Sequence, residues 1–138
     1  MSEEHEQVLR ALVAAANKKD IKTFEELYDS NVAYHGTGEL AEAGRSAFVD
    51  FMGAFLAAFP DASFTLDDVF SSGDKVAYRV TVRGTHKAEL MGIPATNKAI
   101  TMRSLGVARV SGGKIVEEWE NFDDLGMLMQ LDAVHMAQ

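Results

Sequence analysis

Between Gly113 and Leu131 the chain changes its hydrophobic period, and that change restricts the architecture more than any other stretch. After the turn glycine the segment reads as a strand. Ile115, Glu117, Trp119, Asn121 and Asp123 share one parity, and Val116, Glu118, Glu120 and Phe122 share the other. Leu125, Leu128 and Met129 then fall on one face of a short closing helix. A strand that hands over directly to a helix, with polar residues at the junction, needs a sheet that ends beside a covering helix. If Trp119 faces the interior, uninterrupted alternation turns Asn121 and Asp123 inward with it.

Two readings of Asp123 follow. It or Asp124 caps the closing helix by accepting backbone N–H bonds, which is the commoner use of an aspartate at such a junction. Alternatively Asp123 points into an apolar pocket, where loss of water raises its pKa and makes it a general acid or base.

The rest of the chain supplies the elements around this stretch. Val8, Leu9, Leu12, Val13 and Ala16 predict a helix from about Glu3 to Lys18. Asp20 is placed to cap a second helix carrying Ile21, Phe24, Leu27 and Tyr28, which Asp29-Ser30-Asn31 breaks. Val32–Gly36 reads as a short strand. Ser46 is a candidate cap for a third helix with Phe48, Phe51, Met52, Phe55 and Phe59, stopped by Pro60. Period two then takes over in Ser63–Ser71, Lys75–His86 and Ala99–Val110, with Ser72-Gly73-Asp74 and Ser111-Gly112-Gly113 as turns. Helices first, an antiparallel meander next and one closing helix last predict a single α+β domain over residues 1–138, with helices covering one face of a curved sheet.

Composition narrows the chemistry. The chain has no cysteine, which excludes thiol catalysis, zinc–thiolate sites and disulfides. Thirteen basic against twenty-one acidic side chains give a formal charge of −8, which argues against nucleic acid and anionic membrane surfaces as partners. The acidic start MSEEHEQ is unlike a signal peptide, and no apolar run reaches spanning length, so a soluble cytoplasmic protein is the expectation. No histidine has the spacing of a metal site, and no phosphate loop or dinucleotide fingerprint is present. Acid–base chemistry without metal or cofactor is the enzyme class for which the chain supplies parts.

His86 continues the apolar face of Val76, Tyr78, Val80 and Val82, while Arg79, Thr81 and Arg83 form the opposite, polar face. That polar face is expected either to be solvated or to join two copies in a homodimer. His35 lies in VAYHG, where either face is open to it. Arg103 shares a face with Leu105 and Val107, opposite Ser104, Gly106 and Ala108; turned inward it would orient a carbonyl or anionic oxygen, and turned outward it is a surface arginine. Phe51 and Phe55 belong to an aromatic stripe that serves the core, ligand contact or both.

GDKVAYRVTVRGTHKAELMGIPAT and GGKIVEEWENFDDLGMLMQL together resemble the SnoaL-like polyketide cyclase (ester cyclase) family. Gly84-Thr85-His86, Gly92-Ile93-Pro94, Gly113-Lys114-Ile115 and Glu118-Trp119 with Asp123 carry the likeness, which extends from AYHG to the last helix. The resemblance implies a cone-shaped barrel of the nuclear-transport-factor type, a curved sheet wrapped around the N-terminal helices and enclosing a deep pocket. It implies intramolecular aldol cyclisation of an apolar or polycyclic small molecule, without cofactor. It makes Asp123 the acid–base residue and puts His86 and His35 at positions that line the same pocket. On the enzyme reading His86, with Asn121 or Arg103, donates to the developing oxyanion, and His35, Trp119, Asn121, Arg103, Phe51 and Phe55 are the expected substrate contacts. Epoxide hydrolases on the wider fold place a working aspartate two residues after the tryptophan; Asn121 stands there and weakens a hydrolase reading. Ala95-Thr96-Asn97 departs from the usual wording of the loop at the pocket mouth.

Overall fold

The computed structural model describes residues 2–134. Helix α1 (Ser2–Asn17) and the short α2 (Ile21–Glu26) lead into strand β1 (Tyr28–His35). A single 3-10 turn at Gly38–Leu40 precedes α3 (Arg45–Ala58). Strands β2 (Ser63–Ser72), β3 (Lys75–Thr85), β4 (Ala99–Ser111) and β5 (Lys114–Phe122) follow, and α4 (Asp124–Gln130) ends the described fold. The five strands form one sheet in the order β1-β5-β4-β3-β2, and the sheet is curved but not closed. α1 packs against β2 and β3, α3 against β1 and α2, and α4 against β4. No helix among the described residues is long and apolar enough to cross a membrane.

The helical assignments follow their apolar periods. Leu9, Leu12 and Ala16 of α1 and Phe48, Phe55 and Leu56 of α3 are buried, each large side chain contributing roughly 1.5–3 kcal/mol. Asp20 caps α2, its side chain accepting from Thr23 N at 3.1 Å. α3 starts from Gly44 rather than Ser46 and has no side-chain cap.

Two sheet features depart from the sequence expectation. Tyr28 belongs to β1 rather than to the second helix, and β1 runs parallel to β5, so the sheet is mixed and not a pure meander. The Asp29–Asn31 segment turns within the strand, Asn31 N–H donating to Asp29 Oδ2 at 2.8 Å, and the β1–β5 register shifts there.

The second departure governs the site. Along β5, Arg109 pairs with Glu117 but Val110 pairs with Ile115, which leaves Val116 as an extra, bulged residue. From Glu118 onward every side chain faces opposite to uninterrupted alternation from Ile115. Ile115 and Glu118 are both buried, and Trp119 lies outside, 36% exposed. The expectation that Trp119 is buried beside the pocket is thereby corrected, and the inward direction it gave to Asn121 and Asp123 falls with it.

Candidate functional site

Between the inner face of the sheet and the helices lies a cavity of about 440 Å³. Its walls are mainly apolar and rich in aromatic rings: Phe24, Phe48, Phe51, Phe55 and Phe64 line it, as do Met91 and Met127. The polar groups of its lining sit mostly in one patch of the sheet. Register explains that patch, because Tyr78 of β3 lies beside Gly106 of β4, which lies beside Glu120 of β5. Glu118 in turn pairs with Ala108 on one side and Tyr34 of β1 on the other.

Glu118 is 1% exposed. Its Oε1 accepts from the Tyr28 hydroxyl at 2.6 Å and its Oε2 from the Tyr78 hydroxyl at 2.5 Å. Glu120 retains some accessible surface and lines the same cavity. Its Oε1 accepts from the Tyr34 hydroxyl at 2.7 Å and its Oε2 from Ser104 Oγ. Two carboxylates in an apolar wall are costly unless their lone pairs are met, and four hydroxyl donors meet them. None of these donors is a cation.

Electrostatics follow from that composition. Burial, and then the neighbouring charge of Glu120, push Glu118 up to about 8 against the opposing bonds from Tyr28 and Tyr78. Burial also raises Glu120, opposed by its bonds from Ser104, Tyr34 and Tyr78. Tyr28, Tyr34 and Tyr78 are pushed up by burial and by the two carboxylates, so they remain hydrogen donors. Space for this arrangement comes from Gly106, since a Cβ there would lie 2.3 Å from the Tyr78 hydroxyl oxygen and 2.7 Å from the Trp119 carbonyl.

A third carboxylate stands at the rim. Asp124 lines the cavity beside Thr37 and Gly38, its Oδ2 accepting from Thr37 Oγ1 at 3.3 Å. Its Oδ1 accepts from Leu125 N–H at 3.0 Å.

The residues singled out in the sequence are distributed over three places. Phe51 and Phe55 line the cavity. His86 lies fully buried on the inner face but packs on the Phe59 ring at 5.3 Å, away from the cavity lining. The Thr96 N–H donates to its Nδ1 at 3.2 Å, and Nε2 has no hydrogen-bond partner among the described residues. His86 thus fastens the loop between β3 and β4, reinforced by Asn97 N–H to His86 O at 2.8 Å.

His35 and Trp119 stack at 5.5 Å on the outer face of the sheet. His35 bridges Glu42 at 2.6 Å and Glu117 at 2.9 Å, bonds that raise its pKa. Arg103, Asn121 and Asp123 border a separate depression that also includes Asp67, Arg79 and Thr81. Asp123 caps α4, accepting from Gly126 N–H at 2.9 Å, and is exposed. The two histidines and Asp123 therefore do not share a cavity. The residues that do share it and were not singled out are Glu118, Glu120, Tyr28, Tyr78 and Ser104, together with Asp124, while Tyr34 bonds to Glu120 from outside the lining. Ser104-x-Gly106-x-Ala108 was the available signal: small residues on one face of β4 leave room for large or polar side chains from the neighbouring strands.

Comparison with known proteins gives the same fold. A family model described as SnoaL-like polyketide cyclase matches residues 6–131. The crystal structure of AclR from Streptomyces galilaeus, a proposed hydroxylase, superposes with a TM-score of 0.89 at 26% identity, covering 98% of this chain and all of that one. Wild-type IdmH from Streptomyces antibioticus, a proposed polyketide cyclase, is 32% identical with a TM-score of 0.82, covering 93% of this chain and 98% of its own. A SnoaL-like polyketide cyclase from Agrobacterium tumefaciens superposes at 0.72 and 20% identity, covering 90% and 94%. No curated protein matches the chain.

Proposed function

The chain belongs to the SnoaL-like polyketide cyclase family, and on that premise we propose that it performs acid–base chemistry on an apolar small molecule held in the central cavity, with Glu120 as the base. The observation that carries this reading is the Glu118–Glu120 pair, two neighbouring carboxyls in the lining of a mainly apolar cavity. The role that the family resemblance gave to Asp123 moves to Glu120, because Asp123 is exposed and committed to the α4 cap.

The reaction proposed is an intramolecular aldol cyclisation. Glu120 removes a proton from carbon next to a ketone, and the enolate carbon forms a bond to a second carbonyl carbon of the same molecule. The protonated Glu120 then returns its proton to the new alkoxide, so no net proton is consumed. Glu118, pushed up to about 8, favours its protonated form at neutral pH. A raised Glu120 is a stronger base than an aspartate in water. The aromatic walls hold the folded substrate with its two reacting carbons close, which lowers the entropic part of the barrier.

Saturation of all four carboxylate oxygens by protein hydroxyls favours a second reading, a non-catalytic binder of hydrophobic molecules. Incubation of the protein with acetylnaphthalene in deuterium oxide separates the two. Acid–base activity predicts exchange of the methyl protons faster than in buffer, followed by proton NMR; binding with exchange at the buffer rate supports the binder.

A further inference from the structure

The charge inventory of the cavity says more about its ligand than its shape does. Among the described residues, Glu118, Glu120 and Asp124 are the only carboxylic acids in its lining, and no lysine, arginine or histidine side chain joins them. The basic residues of the sheet lie elsewhere: Arg79 pairs with Asp68, and Arg109 with Asp74 and Glu117. The inner carboxyls are met by neutral hydroxyls alone. At the rim, Asp124 Oδ2 has only the 3.3 Å bond from Thr37, which leaves it room for a further donor. Around these groups stand the rings of Phe48, Phe51 and Phe55, and the π face of an aromatic ring attracts cations.

We infer that the cavity selects an apolar ligand carrying a cationic nitrogen, with Asp124 as its counter-ion at the rim and the aromatic walls around its hydrocarbon body. The inference rests on the reading of this cavity as the site and adds the charge class of what enters it. An anionic ligand would meet three acids and no compensating cation among the described lining residues. A neutral ligand would gain the apolar contacts but leave Asp124 unpaired. An ammonium gains both, while its carbonyl end reaches Glu120.

Three naphthalene probes of similar size test this by calorimetry at neutral pH: naphthylmethylammonium, naphthylmethanol and naphthoate. The ammonium should bind about tenfold tighter than the alcohol, with naphthoate weakest. Asp124→Asn should remove most of the ammonium's advantage while leaving the alcohol's affinity in place. Alcohol binding as tightly as the ammonium, or naphthoate binding best, overturns the charge selection but leaves the cavity as a binding site. Failure of all three to bind overturns both the selection and the cavity reading. Equal loss of ammonium and alcohol affinity in Asp124→Asn would assign Asp124 to shaping the rim and overturn its counter-ion role. The wild-type ranking decides the charge class even if a variant does not fold.

Discussion

Ile115 and Glu118 lie on the same inner face of β5 although they are three positions apart, an odd spacing that a regular strand forbids. The bulge at Val116 resolves it and brings Glu118, Glu120 and Phe122 to the core side. Deleting Val116 makes the spacing even, so plain alternation from Ile115 leaves Glu118 and Glu120 on the inner face without a bulge. The expected outcome is a folded variant that keeps naphthyl probe binding, checked by calorimetry alongside circular dichroism. A folded variant that has lost binding would contradict the bulge's role.

This one residue marks where the sequence stops being legible. β3 has no bulge between Lys75 and Thr85 against β4, so the alternation of Val76, Tyr78, Val80 and Val82 reports burial faithfully, and His86 follows it inward. The phenylalanine stripe of α3 is equally readable because helical period leaves no register to slip. On β5 a parity count from Ile115 inverts everything beyond Val116, which turned Trp119 and Asp123 inward on paper and left Glu118 and Glu120 outside. A β-branched valine between Ile115 and Glu117 carries no mark of a bulge. β1 was shortened in the same way, since its pairing with β5 is non-local and Asp29-Ser30-Asn31 reads locally as a terminator.

Gly106→Ala should cost about 1–3 kcal/mol, because its Cβ must displace the Tyr78 ring and the Trp119 carbonyl together. Thermal unfolding measures this. An unchanged melting temperature would mean that Tyr78 does not occupy the space beside Gly106.

Glu118 makes stability fall as pH rises. Its ordinary value of 4.5 is raised to about 8 in the fold, so the native state holds the proton more tightly than the unfolded chain. Its contribution is fully present below 4.5 and is lost as pH passes 8. His35, raised by Glu117 and Glu42, acts in the same direction above its ordinary value of 6.5. Melting temperature should therefore decline between about pH 5 and about pH 9, and less steeply in Glu118→Gln. A flat profile, or a slope untouched by Glu118→Gln, would show that Glu118 is not buried as an acid.

The outer face carries Phe70, Ala77, Val107 and Trp119 as register neighbours across four strands, with Leu105 close by. Phe70 and Leu105 are 61% and 60% exposed. We propose that this row, bordered by Arg79 and Arg109, pairs with a second copy of the chain. Sedimentation at micromolar concentration should give a dimer, and Leu105→Arg a monomer; a monomeric wild-type protein at that concentration would remove the proposal.

The central claim is that proton transfer belongs to Glu120 in the cavity and not to Asp123 at the head of α4. Asparagine caps a helix about as well as aspartate, so Asp123→Asn should leave both stability and turnover nearly intact. Glu120→Gln keeps the size of the side chain and removes the base, with an expected loss of ~10²–10⁴-fold in rate. The decisive measurement is methyl-proton exchange of acetylnaphthalene in deuterium oxide, compared for wild type, Glu120→Gln and Asp123→Asn. Exchange that vanishes in Glu120→Gln and persists in Asp123→Asn is the predicted result; exchange that persists in Glu120→Gln and vanishes in Asp123→Asn would contradict it.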